Sequence, residues 1–206
     1  MAIRDDLELA FKPKMLSAVG DVGFAKGLKA ISYFFFIWLA VHIVVALVNG
    51  AIDGQSLGGV FLFSLLVGLS VAVMGLVGLL VLGFVSAYAS KLFGGEGDLQ
   101  KTLGLISIGV LPIVLVGVFR DLLLLVSAVR DHFLADYFVQ ISVLLFVVTF
   151  AWLAWMLTEA IAIANDIKKS SAFVCFVIGF IVASLVNWPV NWVLVKLVTY
   201  ILTVVL

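Results

Sequence analysis

The fold class is decided by residues 58–89, which read GGVFLFSLLVGLSVAVMGLVGLLVLGFVSAYA. This segment contains no charged residue, and as a helix rising 1.5 Å per residue it would be roughly 48 Å long. The hydrocarbon core of a bilayer is about 30 Å thick, so about 20 apolar residues are enough to cross it. We therefore predict a membrane-spanning helix that tilts, kinks or extends beyond the bilayer.

The remainder of the chain has the same apolar character. Apolar residues make up 65% of the sequence and charged residues 12%, whereas soluble domains average roughly 45–50% and about 25%. A soluble domain of this composition could not cover its surface with polar atoms. The composition predicts an all-α fold, a polytopic bundle of transmembrane helices.

We predict five spans, because a chain segment that crosses lipid must satisfy its backbone hydrogen bonds within a helix. The predicted spans are residues 30–48, 58–89, 102–119, 139–165 and 172–188. Residues 1–27 interleave charged and apolar side chains, which predicts a short amphipathic segment on the cytoplasmic surface, ahead of a membrane domain at 28–206. The apolar tail 193–206 is interpreted as a bent continuation or a surface-lying segment, with a short sixth span as the alternative.

The basic residues predict the orientation of these spans. Nine of the 12 Lys and Arg residues fall in three segments that alternate onto one side of the membrane: Arg4, Lys12, Lys14, Lys26, Lys29, Lys91, Lys101, Lys168 and Lys169. Since cytoplasmic loops carry the excess of Lys and Arg, we expect a multi-pass protein of the cell membrane with a cytoplasmic N-terminus. With five spans, the C-terminus lies outside.

Several function classes are disfavoured. Lys plus Arg and Asp plus Glu number 12 each, so there is no basic excess for nucleic acid. One cysteine and two histidines leave little for a metal centre.

The segment Gly94–Gly97 lacks the Gly-Lys-Ser/Thr of a phosphate-binding loop, and we interpret it as a turn with Asp98 as the N-cap of the next helix. No nucleophile and base are paired, so the sequence predicts a protein that is not an enzyme and needs no cofactor.

Ionisable residues inside apolar spans are the first candidates for function, because burying them is costly unless they are partnered. Glu159 could carry a proton or anchor an ion or a partner; alternatively it reaches the inner interface and pairs with Lys168 or Lys169. His42 could be a ligand or a proton relay, or it could make a hydrogen-bonded contact between helices. The two residues lie at different depths and are not predicted to pair.

Three asparagines complete the intramembrane candidates. Asn165 ends the fourth span, and Asn187 and Asn191 flank Pro189. Proline interrupts the helical hydrogen-bond ladder, so we expect the fifth helix to end there at the interface. A broken helix that lines a transport site is the alternative.

Two further patterns bear on packing and on the outer side. Small residues at Gly68, Ala72, Gly83 and Ala87, with Gly75 and Gly78, allow close helix packing, inside the bundle or between protomers. The charged groups Arg120-Asp121 and Arg130-Asp131-His132 are expected to be solvated at the outer interface, with a binding rim as the alternative. The apolar residues 122–129 either prolong the third helix or lie flat in that interface.

The sequence after the second predicted span reads Lys91-Leu-Phe-Gly-Gly-Glu-Gly-Asp-Leu-Gln-Lys-Thr-Leu-Gly104 and continues through Gly109-Val-Leu-Pro112. Together with Leu7–Pro13, Leu28–Tyr33 and Trp155–Ala172, this pattern resembles the Yip family of Ypt/Rab-interacting membrane proteins. It implies a five-span domain with a cytoplasmic N-terminus that associates with other membrane proteins. The Asp-Leu-Tyr-Gly-Pro motif of eukaryotic members, which bind prenylated small GTPases, is missing here. The chain is thus similar to prokaryotic members, and no small-GTPase partner is predicted.

Two functional hypotheses follow. The first is an interaction scaffold that binds membrane proteins or lipids through a cytoplasmic face comprising Lys91, Glu96, Asp98, Lys101, Lys168 and Lys169. The second is a small transporter or channel subunit that uses Glu159 as an intramembrane site, with a homo-oligomer needed to enclose a pore.

Overall fold

A computed structural model describes residues 23–129 and 133–205, and the surroundings of side chains at 23–123 and 140–204. Most of the predicted N-terminal amphipathic segment and the charged group Arg130-Asp131-His132 lie outside the described residues. The described residues are helical over 92% of their length and contain no strand, which confirms the all-α prediction. Five of their helical segments are long and apolar enough to cross a membrane.

The helices follow one another with short connections. Helix α1 is Phe24–Ile52, α2 is Leu57–Ser90, α3 is Leu99–Gly109, α4 is Leu111–Val129, α5 is Phe133–Asn165 and α6 is Lys169–Val205. A single 3₁₀ turn, Lys91–Phe93, follows α2. The predicted N-cap is confirmed, because Asp98 Oδ1 accepts a hydrogen bond of 3.0 Å from the amide of Lys101 at the start of α3.

Helices α3 and α4 together form one kinked span at the centre of the bundle. The kink lies at Val110, two residues before Pro112, because proline supplies no amide hydrogen and its ring clashes with the preceding turn. Every residue of α3 from Thr102 to Gly109 is buried, against α1, α2 and α5. Helix α4 continues to Val129, so residues 122–129 prolong this helix.

Helix α6 runs without interruption through Pro189, so the expectation that the helix ends there is wrong. Proline removes one backbone hydrogen bond, but α6 packs along α2 more extensively than any other pair of described helices does. The apolar residues 193–205 are therefore the last third of α6.

Close helix packing depends on glycine at a few positions. A Cβ atom on Gly27 would lie 2.6 Å from the backbone oxygen of Gly104, so α1 and α3 cross backbone to backbone. Gly68 and Gly83 of α2 lie against the side chains of Leu39 and Leu103, whereas the space around Gly75 is open. The small residues of α2 that have neighbours therefore pack inside the bundle.

Candidate functional sites at the two ends of the bundle

Asn165 is the centre of a buried hydrogen-bond network at the end of α5. Its Nδ2 donates to Thr102 Oγ1 and to the carbonyl of Ile161, both at 3.0 Å, and its Oδ1 accepts from Ser90 Oγ at 3.0 Å. Asn165, Thr102 and Ser90 are fully buried. Because these groups satisfy one another, the ends of α2 and α5 and the start of α3 are tied together.

The same network fixes the glycine-rich turn between α2 and α3. The amide of Glu96 donates to the carbonyl of Asn165 at 3.2 Å, and the amide of Gly95 donates to the carbonyl of Ser90 at 3.0 Å. A Cβ atom on Gly95 would lie 2.9 Å from the Asn165 carbonyl, so only glycine lets the turn approach this closely. Gly94 has a φ of 79° and closes the 3₁₀ turn in the left-handed region.

Glu159 forms an ion pair with Lys169 across the α5–α6 connection. The whole Glu159 residue is only 8% exposed, whereas the Lys169 side chain is 72% exposed. The exposed lysine therefore reaches from the surface to a carboxylate that is buried inside the bundle. Pairing with a lysine of this connection is one of the two interpretations that the sequence left open.

The predicted cytoplasmic residues lie together at this end of the bundle, which we call the loop end. Lys91, Glu96 and Asp98 are exposed on the α2–α3 connection, and Lys168 is exposed beside Lys169. The Nζ atom of Lys91 lies 5.6 Å from the ring centroid of Tyr88. Two apolar side chains accompany these charges, because Leu92 is 81% exposed and Phe93 is also exposed. The name loop-end surface is used for the surface formed by Lys91, Leu92, Phe93, Glu96, Asp98, the half-buried Lys101, Lys168 and Lys169.

His42 lies toward the opposite end of the bundle, which we call the far end, and its partner is Asp121. The Nδ1 atom of His42 lies 3.2 Å from Asp121 Oδ2, and Arg120 Nη2 donates to Asp121 Oδ1 at 3.2 Å. Asp121 is 1% exposed. The expectation that Asp121 is solvated is therefore wrong, because contact between α1 and α4 covers its carboxylate. The two basic neighbours compensate for this burial.

The two asparagines that flank Pro189 are not brought together. Asn187 turns toward α2, where its Nδ2 would lie 2.7 Å from a Cβ atom on Gly78, and its buried Oδ1 has no hydrogen-bond partner among the described residues. Asn191 is exposed on the same helix. Within the described part of the chain, no three His, Cys, Asp or Glu side chains are placed to hold a metal ion.

Sequence reasoning missed the roles of Asp121, Ser90 and Thr102. Asp121 carried a signal, since it is followed by the apolar run 122–129 and so belongs to a long helix rather than to a loop. Its partner depends on where α1 crosses α4, which no local pattern encodes. Ser90 and Thr102 are ordinary helix-end residues in the sequence, and only the tertiary fold brings them to Asn165.

The long apolar helices and the partnered polar groups at both ends define a multi-pass α-helical membrane protein. Comparison with protein families gives a match to the Yip1 domain over residues 25–190, which is most of the chain. The protein therefore belongs to the Yip family. Comparisons with curated proteins and with solved structures give no significant match.

Proposed function

We propose that this member of the Yip family is a non-enzymatic scaffold that associates with other membrane proteins or with lipids through its loop-end surface. The observation that carries the proposal is the hydrogen bond between the amide of Glu96 and the carbonyl of Asn165. It joins the two connections that hold the exposed charges, so that they form one continuous surface.

The loop-end surface is suited to recognition because it is held in place before a partner arrives. Asn165 and Ser90 fix the turn from beneath, while Leu92 remains 81% exposed. A rigid surface loses less conformational entropy on binding than a flexible one. Contiguous apolar patches rimmed by polar residues mark sites of contact with proteins or membranes, and Leu92 and the neighbouring Phe93 are both exposed among Lys and Glu side chains.

The proposal includes an orientation. The loop end carries Lys26, Lys29, Lys91, Lys101, Lys168 and Lys169, and positive loops face the cytoplasm. We propose that the loop-end surface and the N-terminus lie on the cytoplasmic side of a cell membrane. The partner would then be reached from that side of the membrane.

The test is co-purification from native membranes in mild detergent, with crosslinking before solubilisation. Wild type is compared with Leu92→Ser and with the control Trp188→Ser, which changes a residue of α6 that is 80% exposed but far from the loop end. We expect a near-stoichiometric protein or lipid to accompany wild type and Trp188→Ser, and to be reduced in Leu92→Ser. Equal recovery from all three proteins would contradict the proposal.

The competing hypothesis, transport through Glu159, requires a carboxylate that faces a water-filled cavity within the membrane. The ion pair of Glu159 with Lys169 favours association instead. Flux through proteoliposomes separates the two functions. Flux that is present in wild type and lost in Glu159→Gln would support transport, whereas no flux in wild type removes that role for Glu159.

A further inference from the structure

The far-end cluster of His42, Arg120 and Asp121 holds a buried acid between two basic side chains that remain accessible. Both oxygens of Asp121 are used, one by each neighbour. The Asp121 side chain is 1% exposed, whereas the side chains of His42 and Arg120 are 23% and 52% exposed. The carboxylate therefore lies behind the two basic groups and orients them outward.

The histidine ring is also held on its face. The ring of Trp38 stacks on that of His42 with a centroid separation of 5.3 Å and an interplanar angle of 23°. Gly117 of α4 makes room for the indole, because a Cβ atom there would lie 3.1 Å from Trp38. The Nδ1 atom is engaged by Asp121, so the remaining donor of a doubly protonated imidazole is Nε2–H.

The guanidinium of Arg120 carries five N–H donors. Among the residues whose side-chain surroundings the structure describes, the hydrogen bond from Nη2 to Asp121 Oδ1 uses one of them. When the imidazole of His42 is also doubly protonated, Arg120 and His42 together carry two positive charges against the single negative charge of Asp121.

We propose that the far-end cluster binds a phosphate-bearing ligand through Arg120 and His42, with Asp121 as the positioning residue. The fork of N–H donors on arginine matches the geometry of phosphate oxygens and can bind two of them at once. Both helices that supply the cluster are membrane-spanning segments. A phospholipid headgroup drawn into the leaflet at the far end and free phosphate from solution offer the same chemistry.

The first test is native mass spectrometry of the purified protein with phosphatidylglycerol or with diacylglycerol of the same acyl chains. We expect phosphatidylglycerol to be retained and diacylglycerol to be lost, because only the former carries a phosphate. Equal retention of the two lipids would overturn the proposal without any variant. Competition by inorganic phosphate identifies the source: displacement indicates a site for free phosphate, and persistence indicates a lipid headgroup.

Variants assign the binding to named residues. Arg120→Gln should lower phosphatidylglycerol retention about tenfold, the loss expected for a charge-assisted hydrogen-bonded contact. Arg120→Lys should fall between, since it keeps the charge and loses the fork. The control is Lys196→Gln, which removes an exposed cation of α6 that lies near Trp192 and forms no ion pair with any described residue. Retention in Arg120→Gln equal to that in Lys196→Gln would overturn the assignment.

The positioning role of Asp121 has a readout of its own. In Asp121→Asn the imidazole of His42 loses its charged partner, so the ¹⁵N chemical shifts of its ring nitrogens should change together with lipid retention. Arg120→Gln should lower retention without moving the His42 Nδ1 shift in the same way. Unchanged ring shifts in Asp121→Asn would show that Asp121 does not orient His42 and would contradict its place in the proposal.

Discussion

Asn165 links three helices by buried side-chain hydrogen bonds. It is fully buried and contacts Ser90 and Thr102. Asn165→Ala would leave both hydroxyl groups without this partner, and we expect a loss of about 2 kcal/mol in the free energy of unfolding. Denaturant-induced unfolding in mixed micelles measures this loss of free energy. Asn191→Ala is the control, since Asn191 is exposed; a similar loss in both variants would contradict the role of the network.

The ion pair between Glu159 and Lys169 predicts an asymmetry between its two partners. Glu159→Gln leaves an exposed lysine that water solvates, so its effect should be below about 1 kcal/mol. Lys169→Ala leaves a carboxylate that is only 8% exposed without its partner, and we expect a loss of about 2 kcal/mol. Unfolding of the two variants is compared with that of Lys168→Ala. Equal effects of Glu159→Gln and Lys169→Ala would show that the carboxylate is solvated.

Single residues show where sequence reasoning stops. The position of Glu159 near the end of its span was enough to suggest a lysine partner, because the lysines follow within ten residues in the chain. The partner of His42 lies 79 residues away. Contacts of that kind depend on how the helices cross, and a single sequence does not encode helix crossings in any local pattern.

At the scale of the helix, the crossing of α1 and α3 depends on Gly27. Gly27→Ala would push a methyl group against the Gly104 carbonyl, so we expect a loss of about 1–3 kcal/mol from overpacking. Gly75→Ala provides the matched control, because nothing lies within 4 Å of its added Cβ atom. The two variants are compared by thermal denaturation in the same detergent. A Gly27→Ala protein as stable as the control would exclude a close crossing.

The helices themselves were largely predictable, and their ends were not. Uninterrupted apolar runs predicted five long helices, because lipid leaves the backbone no alternative. Pro189 suggested a helix end, yet α6 continues through it to Val205. Pro112, by contrast, lies just after the break between α3 and α4. The same residue type thus has different effects in the two spans.

For the whole molecule, the charge pattern predicts which end faces the cytoplasm. We expect a membrane-impermeant maleimide applied to intact cells to label Gln55→Cys, in the α1–α2 connection, and not Glu96→Cys at the loop end. Both positions are exposed, and the native Cys175 is buried. Labelling of both variants after the cells are opened is the control. The reverse pattern in intact cells would invert the proposed orientation.

The central claim is that the loop-end surface is where this protein meets its partners. The most direct test is photocrosslinking in living cells from a photoreactive residue placed at Leu92, compared with one at the exposed Gln55. We predict discrete adducts with a protein or lipid from position 92 and few from position 55. No adduct from position 92, or the same adducts from both positions, would contradict the claim.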